Sequence, residues 1–506
     1  MDWKAAFLSA LLVAMAPAPA TAFAEEAAGP AKSEKPDAKP ADKPDFPPLP
    51  ADAHVKQSIR LAGRALNYTA TVGTLPVRDD KGKLTGQVVF TAYTVDGPQV
   101  ADRPVTFAFN GGPGAASVYL NLGAIGPKRV AFGAAGNSPS DPPRLIDNDG
   151  TWLDFTDLVF IDPVGTGFSR SLVDEEATKK AFWATKPDIE YLSRVVYDWL
   201  LKNGRLTSPK FVAGESYGGF RGPRLADYLQ TEMGVGVNGV VLVSPYLDSA
   251  TGFDPAFSPL PFVVTLPSMA AAGLERKGAL TPQAMAAVET YARGDYAVDL
   301  MKGRTDPAAQ GRMEARIVEL TGLDPTFVHR SGARIETQAF LREVFRDQGK
   351  LGSRYDSNVT QDDPFPYAPE QRTGDPILGS IIAPTTSAMV DFVTRVVGWK
   401  VDGRYNALSD AVAKGWNGGH DEQVESVTAL REAVARDPKM KVLIVHGWDD
   451  LSCPYFASVL IVDQLPATVD PSRVQVKAYP GGHMFYSRAD SRLALRRDVM
   501  AMYGAR

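Results

Sequence analysis

Short, wholly apolar runs recur along the chain at intervals too wide for hairpins. Val105–Phe109, Asp157–Ile161, Phe211–Ala213, Gly239–Pro245 and Lys441–His446 each read as a buried strand, and Val474–Tyr479 adds a sixth. Between them lie stretches of helical period. In Asp188–Asn203, Ile189, Leu192, Val195, Val196, Trp199 and Leu200 share one face, with Asp188 placed as an N-cap. Further helices are expected over about 222–233 and 490–503. Buried strands alternating with helices predict an α/β fold, a mostly parallel central sheet with helices on both faces. Before it, about 55–105 alternates apolar and polar positions. There Tyr68–Val72 and Gln87–Tyr93 flank the turn Asp79–Gly82, which predicts antiparallel strands at a sheet edge. From 249 to 438 no buried strand declares itself and the pattern is mostly helical, so that stretch is read as an inserted helical cap. The core is then 53–248 together with 439–506.

The segment after each of five of these strands is polar and rich in glycine. Asn110-Gly-Gly-Pro-Gly114 succeeds the first strand, Asp162-Pro-Val-Gly-Thr-Gly-Phe-Ser169 the second, and Gly214-Glu-Ser-Tyr-Gly218 the third. Gly447-Trp-Asp-Asp450 and Pro480-Gly-Gly-His-Met484 succeed the last two. Ligands of open α/β sheets sit outside these carboxyl ends. Gly214-x-Ser216-x-Gly218 has the form of a nucleophile elbow, which lifts the serine hydroxyl off the sheet and aims the next N–H, that of Tyr217, at the reacting oxygen. The Asn110–Gly114 loop can turn backbone N–H groups toward a ligand and is read as an oxyanion loop. Gly165-x-Gly167 lacks the third glycine of a dinucleotide fingerprint, so no nucleotide site is expected.

A serine needs an imidazole to take its proton, and the imidazole needs a carboxylate to fix its tautomer. The chain has five histidines. His54 lies in the entry segment and His329 and His420 in the cap; His446 falls in a strand and reads as core. His483, in a Gly-rich loop after the last strand, fits the base. The order Ser216, then Asp449 or Asp450, then His483 is that of an α/β-hydrolase; pattern alone does not choose between the two aspartates. His420-Asp421-Glu422 reads as solvated loop, and neither metal nor cofactor is expected.

Composition narrows the function classes. At 44% apolar and 22% charged residues the chain is an ordinary globular enzyme in make-up, and a net charge of −5 offers no basic footprint for nucleic acid. Lys4, the apolar run Ala5–Ala16 and Ala22-Phe23-Ala24 predict a signal peptide over 1–24, and no later segment is expected to span a membrane. Residues 25–52, dominated by Pro, Ala, Lys, Asp and Glu, predict a flexible linker. A single cysteine, Cys453, allows no internal disulfide. These features point to a bacterial periplasmic or secreted protein.

The ordered motifs resemble the serine carboxypeptidase family from the entry hairpins to the last helix. Asn110–Gly114 with Gly126-Pro127, Asp162–Ser169, Gly214–Gly219, Asp450-x-x-Cys453 and Gly481–Met484 are similar to its signature loops. The resemblance implies peptide or small-protein substrates and a catalytic triad of Ser216, Asp450 and His483. It also implies oxyanion donors at the N–H groups of Gly112 and Tyr217. Asn110, Gly111 and Glu215 would hold the substrate's terminal carboxylate, with Cys453 and Met484 lining the pocket. A carboxyl group such as Glu215 can hydrogen-bond that terminus only when protonated, and the family pairs it with a second glutamate. Here that position is Ala124; the family's tryptophan is Ala108 and its cysteine is Ala115.

Overall fold

The structure is a computed structural model that describes residues 46–505 apart from 62, 98–101, 132–139, 141, 250–257, 369–370 and 417–424. The expected signal peptide, residues 25–45 of the expected linker, and His420-Asp421-Glu422 lie outside the described residues. The end of that linker is anchored. Asp52 pairs with Lys202 at 2.6 Å and accepts the Thr74 N–H.

Nine strands carry the sheet: β1 (Ala53–Leu61), β2 (Arg64–Arg78), β3 (Leu84–Val95), β4 (Val105–Phe109), β5 (Asp157–Ile161), β6 (Lys210–Glu215), β7 (Gly239–Val243), β8 (Lys441–Gly447) and β9 (Val474–Tyr479). Their spatial order is β1-β2-β3-β5-β4-β6-β7-β8-β9, with the two-residue strand Arg170–Ser171 paired beside β3. The members β1, β2, β3 and β5 pair antiparallel, and from β5 onward every pairing is parallel. This is the α/β-hydrolase fold.

The apolar runs are continuous because both faces are covered. Along β7, Val240 and Leu242 face one cluster while Val241 and Val243 face the other; along β8, Val442 and Ile444 alternate with Leu443 and Val445 in the same way. One face is filled by helix Thr185–Lys202, which presents Leu192, Val196 and Trp199, and by helix Tyr217–Thr231. The other takes helix Ala489–Met502 through Leu495 and Val499. Asp188 does not cap its helix, which begins at Thr185 after Ala184. It is wholly buried in the first turn and paired with Arg221, a long-range partner that local sequence could not announce.

The stretch read as one cap distributes over three places. Helices within 260–341 form a third apolar cluster with Trp448, Leu451, Tyr455 and Phe456. Helix Pro376–Asp391 and the residues up to Tyr405 pack on the β4-side cluster with Tyr93, and helix Val427–Arg436 packs on the opposite face of the sheet. Periodicity gives the buried side of a helix but not what covers it. The run Pro376–Val396 is long and apolar enough to cross a membrane by length and composition, though it carries Asp391 and Arg395. Its Ile381, Ala388, Met389, Phe392 and Val393 are spent on the sheet-face core.

The chain turns one way from β4 to reach β5 and the other way to reach β6. This reversal opens a crevice at the carboxyl end of β4, and Asn110 and Ser216 both emerge beside it.

Candidate active site

The β6 strand ends at Glu215, and Ser216 adopts φ 60°, ψ −122°, a left-handed conformation rare for a residue with a side chain. Two close approaches make it possible. A Cβ on Gly214 would collide with the Gly218 carbonyl, and one on Gly218 would collide with the Phe109 carbonyl. The Ser216 N–H is held by the Val243 carbonyl at the end of β7, 3.0 Å away, and helix Tyr217–Thr231 starts at the next residue. Gly111 passes so near that a Cβ there would lie 2.5 Å from the Tyr217 nitrogen and 2.9 Å from the Ser216 Cβ. Gly112 sits at φ 102° and precedes a cis bond to Pro113. Among the described residues neither the Gly112 nor the Tyr217 N–H has a hydrogen-bond partner, so both are available to an incoming oxyanion.

The Asn110–Gly114 loop is braced from behind. Asp162 accepts the Ser117 N–H at 2.8 Å and the Tyr405 hydroxyl at 3.2 Å, while the Ser117 hydroxyl bonds the Ile161 carbonyl. Burial pushes the Asp162 carboxyl up to about 7. Arg221 completes the brace. Its Nε donates to Asp188 at 2.6 Å and its Nη1 to the Asn110 carbonyl at 2.7 Å, all of them buried.

Asp450 and His483 meet across β8 and β9. The imidazole Nδ1 donates to Asp450 Oδ2 at 2.7 Å, and Asp450 Oδ1 accepts the N–H groups of Ser452 and Cys453 at 2.7 and 2.9 Å. Asp449, the other aspartate of the loop, turns away from the imidazole and meets Arg488 at 3.6 Å. The His483 carbonyl accepts the Ser244 hydroxyl at 2.8 Å, so the end of β7 ties down the His483 loop as well as Ser216. Burial pulls the His483 imidazole down, but the facing Asp450 carboxylate and Cys453 outweigh it, and the net direction is well above the usual histidine value. Among the described residues the Ser216 hydroxyl has no hydrogen-bond partner; in unliganded sites this contact is often long and tightens around substrate.

Glu215 is 2% exposed. Its carboxyl takes the Asn110 Nδ2 at 2.5 Å and the Tyr486 hydroxyl at 2.9 and 3.0 Å on its two oxygens. Desolvation raises it to about 7, against the lowering pull of His483 and of these two donors. Ala124 is buried, as are Ala108 and Ala115. Tyr486 was not foreseen from sequence: it lies three residues past His483, and a short 3-10 turn, Phe485–Ser487, folds it back onto Glu215. Tyr119, whose buried hydroxyl has no partner among the described residues, and Tyr355, whose ring stands 5.1 Å from that of His483, were likewise unforeseen. Cys453 is buried beside Asp450, and Met484 is half-buried against the sheet-face core. His446 is a core residue, wholly buried with Nε2 at 2.9 Å from the Ser458 hydroxyl, and burial lowers it to about 3.

Two groups of side chains among the described residues could present three ligand atoms to a metal. In Asp450, Cys453 and His483, and in Glu275, Asp356 and Asp449, such atoms lie within 4.8 Å of one another. The first is committed to the hydrogen bonds above, and in the second Arg488 already supplies a cation to all three carboxylates.

Residues 77–259 match the family model described as serine carboxypeptidase. The pheromone-processing carboxypeptidase KEX1 of Coprinopsis cinerea is 25% identical over 397 residues, 76% of this chain and 55% of that protein. Serine carboxypeptidase-like 45 of Arabidopsis thaliana is 27% identical over 213 residues, 40% of this chain and 42% of that one. The chain thus spans about half the length of these curated relatives. The crystal structure of a prohormone-processing carboxypeptidase from Saccharomyces cerevisiae superposes with a TM-score of 0.55 at 17% identity, covering 86% of this chain and 91% of that one. The agreement extends to the fold.

Proposed function

We infer, from the match to the serine carboxypeptidase family, that the chain is an exported serine-type carboxypeptidase whose nucleophile is Ser216. The observation that supports this reading is that four parts lie at the carboxyl ends of β4, β6, β8 and β9. They are a strained serine, an imidazole bonded to a buried carboxylate, two unspent N–H groups and a buried protonatable Glu215.

In the proposed reaction His483 takes the proton of the Ser216 hydroxyl as it attacks the carbonyl of the last peptide bond. Asp450 holds the imidazole in the tautomer whose Nε2 is free and stabilises its cation. The oxyanion of the tetrahedral intermediate is received by the Gly112 and Tyr217 N–H groups. Collapse returns the proton to the leaving amine and leaves an acyl-enzyme on Ser216. Water then attacks with His483 again as base, releasing the shortened peptide. Asn110, Gly111 and Glu215 flank the nucleophile where the substrate's terminal carboxylate would lie, and Glu215 in its neutral form can donate to it. The N-terminal pattern supports export to the periplasm or beyond.

The test is a set of N-blocked dipeptides with free and amidated C-termini. Cleavage of the free acids and loss of activity on the amides are expected; indifference to amidation refutes the exopeptidase reading. Esterase or acyltransferase chemistry is the second reading. Ala124 favours it, since no second carboxyl shares a proton with Glu215. It predicts turnover of simple esters with blocked dipeptides left intact.

A further inference from the structure

The segment Leu351–Asn358 crosses behind both catalytic loops and is fixed to each. The Leu451 N–H bonds the Arg354 carbonyl at 2.9 Å, the His483 N–H bonds the Tyr355 carbonyl, and Gly482 donates to Asp356 at 3.1 Å. Its position relative to the imidazole is therefore set by the backbone. Two side chains of this segment stand at the site. The Tyr355 ring packs edge-on to His483, and the Arg354 guanidinium lies 5.0 Å from the centre of the Tyr355 ring while donating from Nη2 to its hydroxyl at 3.1 Å.

Arg354 is half-buried, yet among the described residues its guanidinium meets no carboxylate. Neighbouring arginines differ: Arg488 pairs with Glu275, Asp356 and Asp449, and Arg342 with Asp363. Asp375 is near, but its oxygens are spent on the Ser353 hydroxyl and on the N–H groups of Arg354 and Ile377. A guanidinium has five N–H donors in a planar fork that matches a carboxylate, and among the described residues one of these is engaged here. Asp375 acts on the guanidinium at a distance, but among the described residues no carboxylate pairs with it directly, and a ligand that brings one gains a charge-assisted contact.

We propose that Arg354 is a specificity-determining residue that receives a carboxylate of the substrate, with Tyr355 holding its guanidinium in place beside His483. The inference rests on the peptidase reading of the site. The carboxylate has two sources, an acidic side chain next to the scissile bond or the terminal carboxylate itself, and the assay separates them.

N-blocked dipeptides are compared in pairs that differ by Glu against Gln at the first or second position, and by free acid against amide at the end. The readout is the ratio of kcat/KM within each pair for the wild type, Arg354→Gln and Arg354→Lys. One charge-assisted fork contributes on the order of tenfold or more. The wild type is expected to favour the carboxylate member of one pair by that factor. Arg354→Gln should bring the ratio toward one, and Arg354→Lys should keep part of it. Collapse of a Glu/Gln ratio assigns the side chain; collapse of the acid/amide ratio alone assigns the terminus. A wild type that treats both members of every pair alike, or ratios that survive in Arg354→Gln, overturns the proposal. If the wild type cleaves no peptide, the peptidase reading fails separately, and the blocked Glu and Gln methyl esters carry the same comparison. Should Arg354→Gln not fold, the Arg354→Lys ratio and its decline at high ionic strength decide.

Discussion

The protonation of Glu215 gives two measurable quantities from one substitution. Burial moves this carboxyl from 4.5 to about 7. A folded-state value above the unfolded one means that the folded protein holds the proton more tightly. Between those two values the fold therefore loses stability as pH rises, and below about 4 the group costs nothing. A shift of this size corresponds to about 3 kcal/mol once the pH exceeds 7. Glu215→Gln keeps an oxygen to accept from Asn110 Nδ2 and an amide to face the Tyr486 hydroxyl, while removing the ionisation. Chemical denaturation of the variant should match the wild type at pH 4 and exceed it by about 3 kcal/mol at pH 8. Activity carries the second sign. If only neutral Glu215 receives a free-carboxylate substrate, the wild type should lose about tenfold in kcat/KM by one pH unit above 7, and the variant should lose this limb. The His483 imidazole feels the same substitution, because the Glu215 and His483 charges interact. Removing the anion lowers the imidazole value, so the acid limb should move to lower pH in the variant. A pH profile unchanged on both limbs, with an equal stability difference at pH 4 and pH 8, would refute the reasoning.

Ser216→Ala should abolish labelling by a fluorophosphonate probe while relieving the left-handed backbone only slightly; residual labelling on another residue would displace Ser216 as nucleophile. Asp188→Ala leaves the buried Arg221 without its counter-ion and should cost about 3–5 kcal/mol in urea unfolding, much of it restored by adding Arg221→Met. No loss in the single variant, or none restored in the double, contradicts the ion-pair account. Asp449 is held well above the ordinary carboxyl range, first by burial and then by Asp356 and Glu275, with Arg488 opposing. A raised carboxyl weakens the fold as pH climbs, so Asp449→Asn should raise the melting temperature relative to wild type at pH 8 but not at pH 4. Equal shifts at the two pH values would exclude a proton held there.

The strands were legible because burial on both faces writes itself as uninterrupted apolar residues. β4, β5 and β9 keep the bounds that composition alone suggested. Ser216 and His483 were legible because each stands in a glycine frame forced by backbone contact: the Gly218 and Gly214 approaches beside the first, the Gly482 approach to Tyr355 beside the second. Tyr486, Arg221 and Arg354 were not. Their roles depend on which distant group they meet, Glu215 across 271 positions in one case and Asn110 across 111 in another, and no local period or spacing encodes that meeting. The same limit separated the 249–438 insertion into three packing sites where pattern offered one.

The adjacent aspartates of the β8 loop illustrate why geometry is needed to finish what sequence begins. Asp449 and Asp450 are both wholly buried and chemically identical. Three N–H donors converge on Asp450, whereas among the described residues neither oxygen of Asp449 receives one. The difference comes from the turn after Gly447. It aims Oδ1 of Asp450 back at the N–H groups of its own loop and Oδ2 at the imidazole, and it drives the Asp449 side chain into Glu275, Asp356 and Arg488. Asp356 in turn accepts the Gly482 N–H, one residue before His483. A change in the charge of that acidic group is thus transmitted to His483 through one backbone bond, without touching the imidazole. Substitutions at Asp356 should accordingly alter kcat more than KM, since they move the base and leave the oxyanion loop, braced separately by Asp162 and Arg221, where it is. Steady-state kinetics on Asp356→Asn decide the point, and a change confined to KM would break the link.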